Sequence, residues 1–360
     1  MKTPFAQRRR ALASQLGDQQ LANLLVTQGA SWYYLTGFTG ESGALVVSHR
    51  GATLITDGRF TVQARTETSG IRVVEQQGSL ASSVGQFLKA AGRGRIGFDA
   101  LHLTVGQFRA LQKAAGPRVR WIAAAGHVER LRSRKEAQEI AQMRKAAILA
   151  SQVLEDALKL LRPGVRELEI AAEIEYQMRQ YGASGPAFET IVAFGERSAY
   201  PHARATGKRL RKNELVVLDL GVILAHYCSD ITRTAVVGRA STRVRRWHKA
   251  VREAQAAAIE AVRSGATCGE VDAAARRVLA GYRLDRYFVH STGHGLGLEV
   301  HEDPRIAKGQ KQILEPGNVI TIEPGVYVPG VGGIRIEDDV AVHAQTTEVL
   351  TRVRRDLIEI

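Results

Sequence analysis

Three acidic residues lie inside stretches that otherwise read as buried strands. Asp219 interrupts the apolar run Leu215-Val216-Val217-Leu218-Asp219-Leu220-Gly221-Val222-Ile223-Leu224; Glu323 ends Val319-Ile320-Thr321-Ile322; Glu337 follows Ile334-Arg335-Ile336. Short apolar runs rich in valine and isoleucine favour strands covered on both faces. A lone carboxylate withdrawn from water is costly unless it is paired, protonated or bound to a metal. Whatever fold this chain adopts must supply a partner for each acid.

Register arithmetic narrows what that partner is. Opposed residues of an antiparallel hairpin have a constant sum of positions. Glu323 and Glu337 centre on residue 330, within the turn signal Pro329-Gly330-Val331-Gly332-Gly333. Asp219 and Asp230 centre at 224–225, between two strand-like runs. Each hairpin is therefore expected to set two acids across from one another, which destabilises a sheet unless positive charge lies between them. Two divalent cations would neutralise all four. His294, in Ser291-Thr292-Gly293-His294-Gly295-Leu296-Gly297, stands between glycines where backbone can approach an ion closely, and is the expected fifth ligand. Two Asp, two Glu and one His suit manganese, cobalt or zinc better than calcium or an iron–sulfur cluster.

The 360 residues are enough for about two domains. A first helix is followed by strand-like stretches at Leu24-Leu25-Val26, Ala44-Leu45-Val46-Val47, Thr53-Leu54-Ile55-Thr56 and Arg72-Val73-Val74. Helical segments near 80–91 and 104–115 flank Ile96-Gly97-Phe98, so this part reads as a layered α/β domain. Gly37-Phe38-Thr39-Gly40 and Asp57-Gly58-Arg59-Phe60 read as turns. Ala123-Ala124-Ala125-Gly126, followed by a charged run, marks a boundary that gives domains 1–126 and 127–360. A long helical pattern over 133–161 stops at Arg162-Pro163-Gly164; a second helix covers 166–181, and strands follow at 188–194 and 215–223. Arg162, Gly164, Glu169, Ile170 and Ala172 recur as Arg263, Gly265, Glu270, Val271 and Ala273, an offset of 101 residues. The repeat predicts a duplicated α/β unit whose halves pack side by side with their strand pairs meeting at the middle.

Composition removes several classes of function. No apolar run approaches the roughly 18 residues of a membrane span. The basic start, through Arg8-Arg9-Arg10, has no apolar stretch behind it and does not read as a secretory signal. Cys228 and Cys268 lack paired spacing, which fits a reducing cytoplasm. The formal charge of +14 raises the question of a nucleic-acid partner, but the basic residues are dispersed. Clusters at 130–135, 208–212 and 243–249 read as solvated helix faces and loops, so no nucleic-acid partner is expected.

These motifs resemble a known family. Pro201-His202-Ala203, Leu218-Asp219-Leu220-Gly221, Ser229-Asp230-Ile231-Thr232-Arg233-Thr234, Gly293-His294-Gly295-Leu296-Gly297 with His301-Glu302, Thr321-Ile322-Glu323-Pro324-Gly325 and Ile334-Arg335-Ile336-Glu337-Asp338 occur in the order seen in the pita-bread metallopeptidases. Tyr34-Leu35-Thr36-Gly37-Phe38 and Asp57-Gly58-Arg59-Phe60 are similar to the creatinase-like amino-terminal domain of the branch containing aminopeptidase P and prolidase. The resemblance implies a creatinase-like α/β domain followed by a duplicated pita-bread α/β catalytic domain.

It also implies a role for each site residue. Asp219, Asp230, His294, Glu323 and Glu337 would hold two divalent metals, manganese foremost with cobalt or zinc as alternatives, with Asp230 and Glu337 bridging the pair. His202, His290 and His301 match histidines that contact substrate or stabilise the intermediate. Tyr327 and Arg335 match a pair beside the ligands, and Arg305 matches a position that holds the substrate's carboxylate in some prolidases. The implied activity is hydrolysis of Xaa-Pro bonds in di- or oligopeptides, by an Xaa-Pro aminopeptidase or Xaa-Pro dipeptidase, through attack of a metal-bridging hydroxide. Glu323 is the expected proton carrier. Arg335 shares a strand face with Glu337 and is expected to orient it. A homodimer is likewise implied. The alternatives are a metal-free creatinase-like amidinohydrolase and a catalytically inactive binding scaffold, and the complete ligand set argues against both.

Overall fold

The computed structural model describes residues 4–91 and 94–360. Residues 1–3 of the basic start lie outside the described residues. The chain divides into two compact units, Met1–Arg132 and Ser133–Ile360. Among the described residues no helix is long and apolar enough to cross a membrane.

The first unit is a six-stranded mixed sheet with helices around it. Its strands lie in the order Arg72–Glu75, Gly51–Thr56, Ala44–Ser48, Asn23–Val26, Arg95–Phe98, Arg120–Ala123. The last of these is absent from the sequence reading: only Trp121 and Ile122 are even partly covered on this short edge strand, so no apolar run announces it. The helix Gly29–Thr36 ends because Gly37 takes a left-handed conformation at φ 80°, so the glycine read as a turn is a helix cap. Thr104 and Gln107 form a reciprocal capping box that starts Val105–Ala115. The helix His127–Ser133 packs within this unit, with the His127 ring against Gln15 and Gln19 and the Leu131 carbonyl accepting from Tyr34.

The second unit is the predicted duplication. The helices Glu167–Gln180 and Cys268–Gly281 start 101 residues apart, the spacing of the sequence repeat. The echo extends to the backbone before them. Gly164 and Gly265 both have positive φ, 97° and 89°, and donate to the Leu210 and Leu314 carbonyls at 2.8 and 2.9 Å. Glu169 and Glu270 each reach back to the backbone N–H that opens their helix, at 2.7 Å in both copies. The longer helices Ala137–Leu160 and Thr242–Ala261 bury alanine-rich faces, Ala146, Ala150 and Ala157 in one and Ala250, Ala254 and Ala258 in the other. Small side chains there allow close approach to the sheets.

One half carries a four-stranded sheet in the order Ile358–Glu359, Ile231–Val237, Glu214–Leu220, Ile191–Phe194. The other carries a five-stranded sheet in the order Glu302–Ile306, Gly293–Gly295, Val319–Ile322, Asp338–Val342, Thr347–Val349. The halves meet along their central strands, where Glu337 N–H donates to the Thr232 carbonyl at 3.1 Å and Arg335 N–H to Thr234 Oγ1 at 3.1 Å.

The registers answer the hairpin arithmetic differently in the two halves. Ile322 pairs with Asp338 and Gly325 with Arg335, so Glu323 and Glu337 lie between two ladders of the expected sum. In the other half Asp219 pairs with Thr232, not Asp230, and Leu224 with Tyr227. That register is two residues off the expected one. Its cause is a two-residue turn at Ala225-His226, both at positive φ (46° and 73°), as in a type I′ hairpin. A shift of two preserves facing, since side chains alternate with period two. Asp219 and Asp230 are diagonal neighbours instead of opposed ones.

Candidate metal and active site

Asp219 reaches the centre from the strand Glu214–Leu220, Asp230 from the residue before Ile231–Val237, and His294 from Gly293–Gly295. Glu323 and Glu337 flank the small hairpin Gly325–Val328/Gly332–Arg335. All five line one cavity of about 280 Å³, together with His202, His301, Phe188, Glu189, Ile191, Ala203, Arg204 and Val300. His294 Nε2 is 3.4 Å from Glu323 Oε1 and 3.8 Å from Asp230 Oδ2. Donor atoms of Asp230, His294 and Glu337 all lie within 4.8 Å of one another.

The glycines beside His294 have a different purpose from the one read in the sequence. A Cβ on Gly293 would sit 1.9 Å from the Thr321 carbonyl oxygen, and one on Gly295 would sit 2.2 Å from that of Asp303. They are bare so that neighbouring strands can close on this one, not to admit an ion. His294 itself is held by Thr321 Oγ1 on its N–H and by its ring Nδ1 against the Gly295 carbonyl at 3.0 Å. With Nδ1–H donating there, Nε2 presents a lone pair to the acids. Burial, with His301 beside it, brings its pKa down to about 4, so the ring is neutral.

The acids are strained electrostatically. Burial first, then the neighbouring carboxylates, hold Asp230 and Glu337 well above the ordinary range. Burial likewise lifts Glu323 to about 7. Glu337 Oε2 accepts from Thr232 Oγ1 at 2.6 Å, and Asp339 Oδ2 accepts the Asp230 N–H at 3.1 Å. Asp219 Oδ1 and Asp230 Oδ1 are fully buried and have no hydrogen-bond partner. Orphaned, desolvated carboxylate oxygens beside a neutral imidazole are chemically suited to hold a metal ion. The residues fit such a group.

Arg335 is tied to Asp219, not to Glu337. Its guanidinium forms a short ion pair with Asp219 Oδ2, and donates to Thr232 Oγ1 at 3.1 Å and to Tyr327 Oη at 2.7 Å. The expectation that it orients Glu337 is thus corrected. The two residues share a face, but Thr232 lies across from Asp219 and takes the bond to Glu337. Tyr327 Oη is 2.9 Å from His290 Nε2, while His290 Nδ1 bonds the Ser291 carbonyl at 2.8 Å. A chain therefore runs from His290 through Tyr327 and Arg335 to Asp219. Burial pushes the Tyr327 hydroxyl up to about 12 and brings His290 down to about 4.

The sequence-selected residues thus fall into three groups. His202 and His301 are exposed on the cavity wall, and the His301 and His294 rings meet edge to face at 4.4 Å. His290, Tyr327 and Arg335 form the supporting chain behind the acids and do not line the cavity. Arg305, on Glu302–Ile306, is exposed and does not line it either. Sequence reasoning missed Arg204, Thr232 and Asp339. Asp339 shares parity with Glu337, a signal that alternation makes available. Asp338, on the opposite face, is instead consumed by Arg233 at 2.7 Å and Arg355 at 2.5 Å.

Known proteins resemble this chain along nearly its whole length. Residues 141–344 match the family model of metallopeptidase family M24, and residues 8–134 that of the creatinase/prolidase N-terminal domain. An Xaa-Pro dipeptidase of Pyrococcus horikoshii is 37% identical over 93% of this chain and 94% of its own length. Among solved structures, an Xaa-Pro dipeptidase from Bacillus anthracis superposes with a TM-score of 0.95 at 37% identity, covering 99% of this chain and all of that one. An X-Pro aminopeptidase from Thermotoga maritima gives 0.87 at 35% identity, covering 94% and 98%.

Proposed function

Because the chain belongs to metallopeptidase family M24, with a creatinase/prolidase amino-terminal domain, we propose that it cleaves the Xaa-Pro bond of proline-containing peptides as a metal-dependent exopeptidase. The observation that carries this reading is the pair of buried, unpartnered oxygens, Asp219 Oδ1 and Asp230 Oδ1, in a cavity shared with His294, Glu323 and Glu337. These five side chains would hold divalent ions, manganese in the first instance and cobalt or zinc as alternatives. Four carboxylates and one imidazole carry nine donor atoms; with Asp219 Oδ2 held by Arg335 and Glu337 Oε2 by Thr232, seven remain, still more than the four to six positions of one such ion, which supports two. When bound, the ions supply polarisation of the scissile carbonyl and activation of water.

The protein's own groups do the rest. His202 and His301 stand on the wall as hydrogen-bond donors for the substrate carbonyl as negative charge develops on it. Phe188, Ile191 and Val300 give that wall an apolar surface suited to a pyrrolidine ring. Glu323, free at Oε2 to face His290 Nδ1 across 3.9 Å, is placed to carry a proton towards the departing nitrogen. Arg335, held by Tyr327 and Thr232, fixes Asp219 so that its other oxygen faces the centre. Residence in a reducing cytoplasm is supported by two buried free thiols, Cys228 and Cys268. A homodimer belongs to the same reading, and sedimentation would test it.

The test is hydrolysis of an Xaa-Pro dipeptide before and after chelation. Activity should vanish with chelator and return with manganese or cobalt. Dipeptide turnover that survives complete metal removal would reject the metal-dependent reading, whereas hydrolysis of an amidino compound and of no peptide under any metal would favour the metal-free amidinohydrolase.

A further inference from the structure

One arginine on the cavity wall has no role in the chemistry above. Arg204 follows the His202 loop and lines the same cavity as the four acids and His294. Its side chain is 82% exposed, and its Nε lies 3.1 Å from Oε2 of Glu189, which is 63% exposed and also lines the cavity. Arg305, the position that the family resemblance suggests for a substrate carboxylate, does not line it. On the reading that this cavity takes Xaa-Pro peptides, a dipeptide brings a free carboxylate immediately beyond the proline ring. A longer peptide or a carboxamide brings none at that distance. Among the described residues lining the cavity, Arg204 is the single side chain with a permanent positive charge.

We propose that Arg204 is the specificity-determining residue for the free carboxylate of an Xaa-Pro dipeptide, with Glu189 as its internal competitor. In the free protein Glu189 occupies the guanidinium. An incoming dipeptide carboxylate exchanges with it, replacing this ion pair with a charge-assisted hydrogen bond of its own. The exposure of both side chains lets this exchange proceed without rearranging the core, and it lets the wall refuse no other substrate outright. The pair thus grades substrates by the group attached to the proline carbonyl. It takes no part in bond cleavage, so its effect belongs in KM.

The experiment compares three substrates sharing one Xaa-Pro pair, the dipeptide, its C-terminal amide and a tripeptide, in manganese-loaded enzyme. The wild type should prefer the dipeptide by about 10-fold in kcat/KM, the worth of one partly solvated charge-assisted bond. Arg204→Gln should raise KM for the dipeptide by that factor, leave kcat in place and leave the amide unchanged, so that the preference collapses; Arg204→Lys should restore part of it. Glu189→Gln should do the opposite, lowering KM for the dipeptide several-fold while sparing the amide. An undiminished preference in Arg204→Gln, or equal losses on all three substrates, would overturn this inference alone. No turnover of any of the three by the wild type would overturn the Xaa-Pro reading and this inference with it.

Discussion

Replacing Glu323 by Gln should stabilise the metal-free protein at alkaline pH while abolishing activity. The carboxyl is lifted from its ordinary 4.5 to about 7 by burial, with Asp219 adding to the rise. A raised acid prefers the protonated form in the folded state. The folded protein therefore pays nothing for it below pH 4.5, progressively more between pH 4.5 and 7, and the full amount above 7. That rise corresponds to about 3 kcal/mol, at about 1.4 kcal/mol per pH unit. Gln has the same shape and no titration, so the apo variant should gain on the apo wild type by about 2–3 kcal/mol more at pH 8 than at pH 5. For a unit of this size the difference amounts to roughly 5–10 °C in Tm. Asp230 and Glu337 shift in the same direction and add to it as Glu323's charge is removed. The assay is paired calorimetry of chelated wild type and E323Q at both pH values; His290 and His294 titrate in both proteins and cancel to first order. A gap that is the same at pH 5 and pH 8, or a variant less stable at pH 8, would refute the reasoning that these acids crowd one desolvated site.

Other outcomes follow from the same geometry. Arg335→Met should leave Asp219 buried without its ion-pair partner, costing about 3–5 kcal/mol in denaturant melts and lowering metal affinity roughly 10–100-fold by titration. Lys135→Met breaks an ion pair with Glu302 in which both side chains are almost fully buried, at 3.0 Å. A loss of about 3–5 kcal/mol is expected, and Glu302→Gln in the same chain should recover part of it. Gly293→Ala drives a Cβ into the Thr321 carbonyl and should cost about 1–3 kcal/mol or more, with metal binding impaired because His294 is next in line. Cys268, a buried thiol held up at about 11, should resist alkylation at pH 8 until the chain unfolds.

Much of this site was legible because its chemistry violates strand grammar. Acids inside apolar runs identified the elements and the faces, and the period-two alternation kept Asp219 and Asp230 on one face even with the register misjudged by two. The misjudgement came from the turn: Ala225-His226 carries neither glycine nor asparagine, so nothing in its composition announces two consecutive positive φ values. Thr232 escaped for the same reason, since only the true register sets it opposite Asp219. The duplication was visible because helix starts are encoded locally, by the positive-φ glycine and the capping glutamate. Arg204 and the chain from His290 to Asp219 are different in kind. They join residues far apart in sequence through side-chain contacts, and no local pattern encodes such a meeting.

The most direct test of the central claim is a crystal of active, manganese-loaded protein with anomalous data at the manganese edge. The account predicts two peaks per chain, ringed by Asp219, Asp230, His294, Glu323 and Glu337, and their loss together with activity in Asp230→Asn. Full activity in crystals whose anomalous map is empty at those five side chains would contradict it.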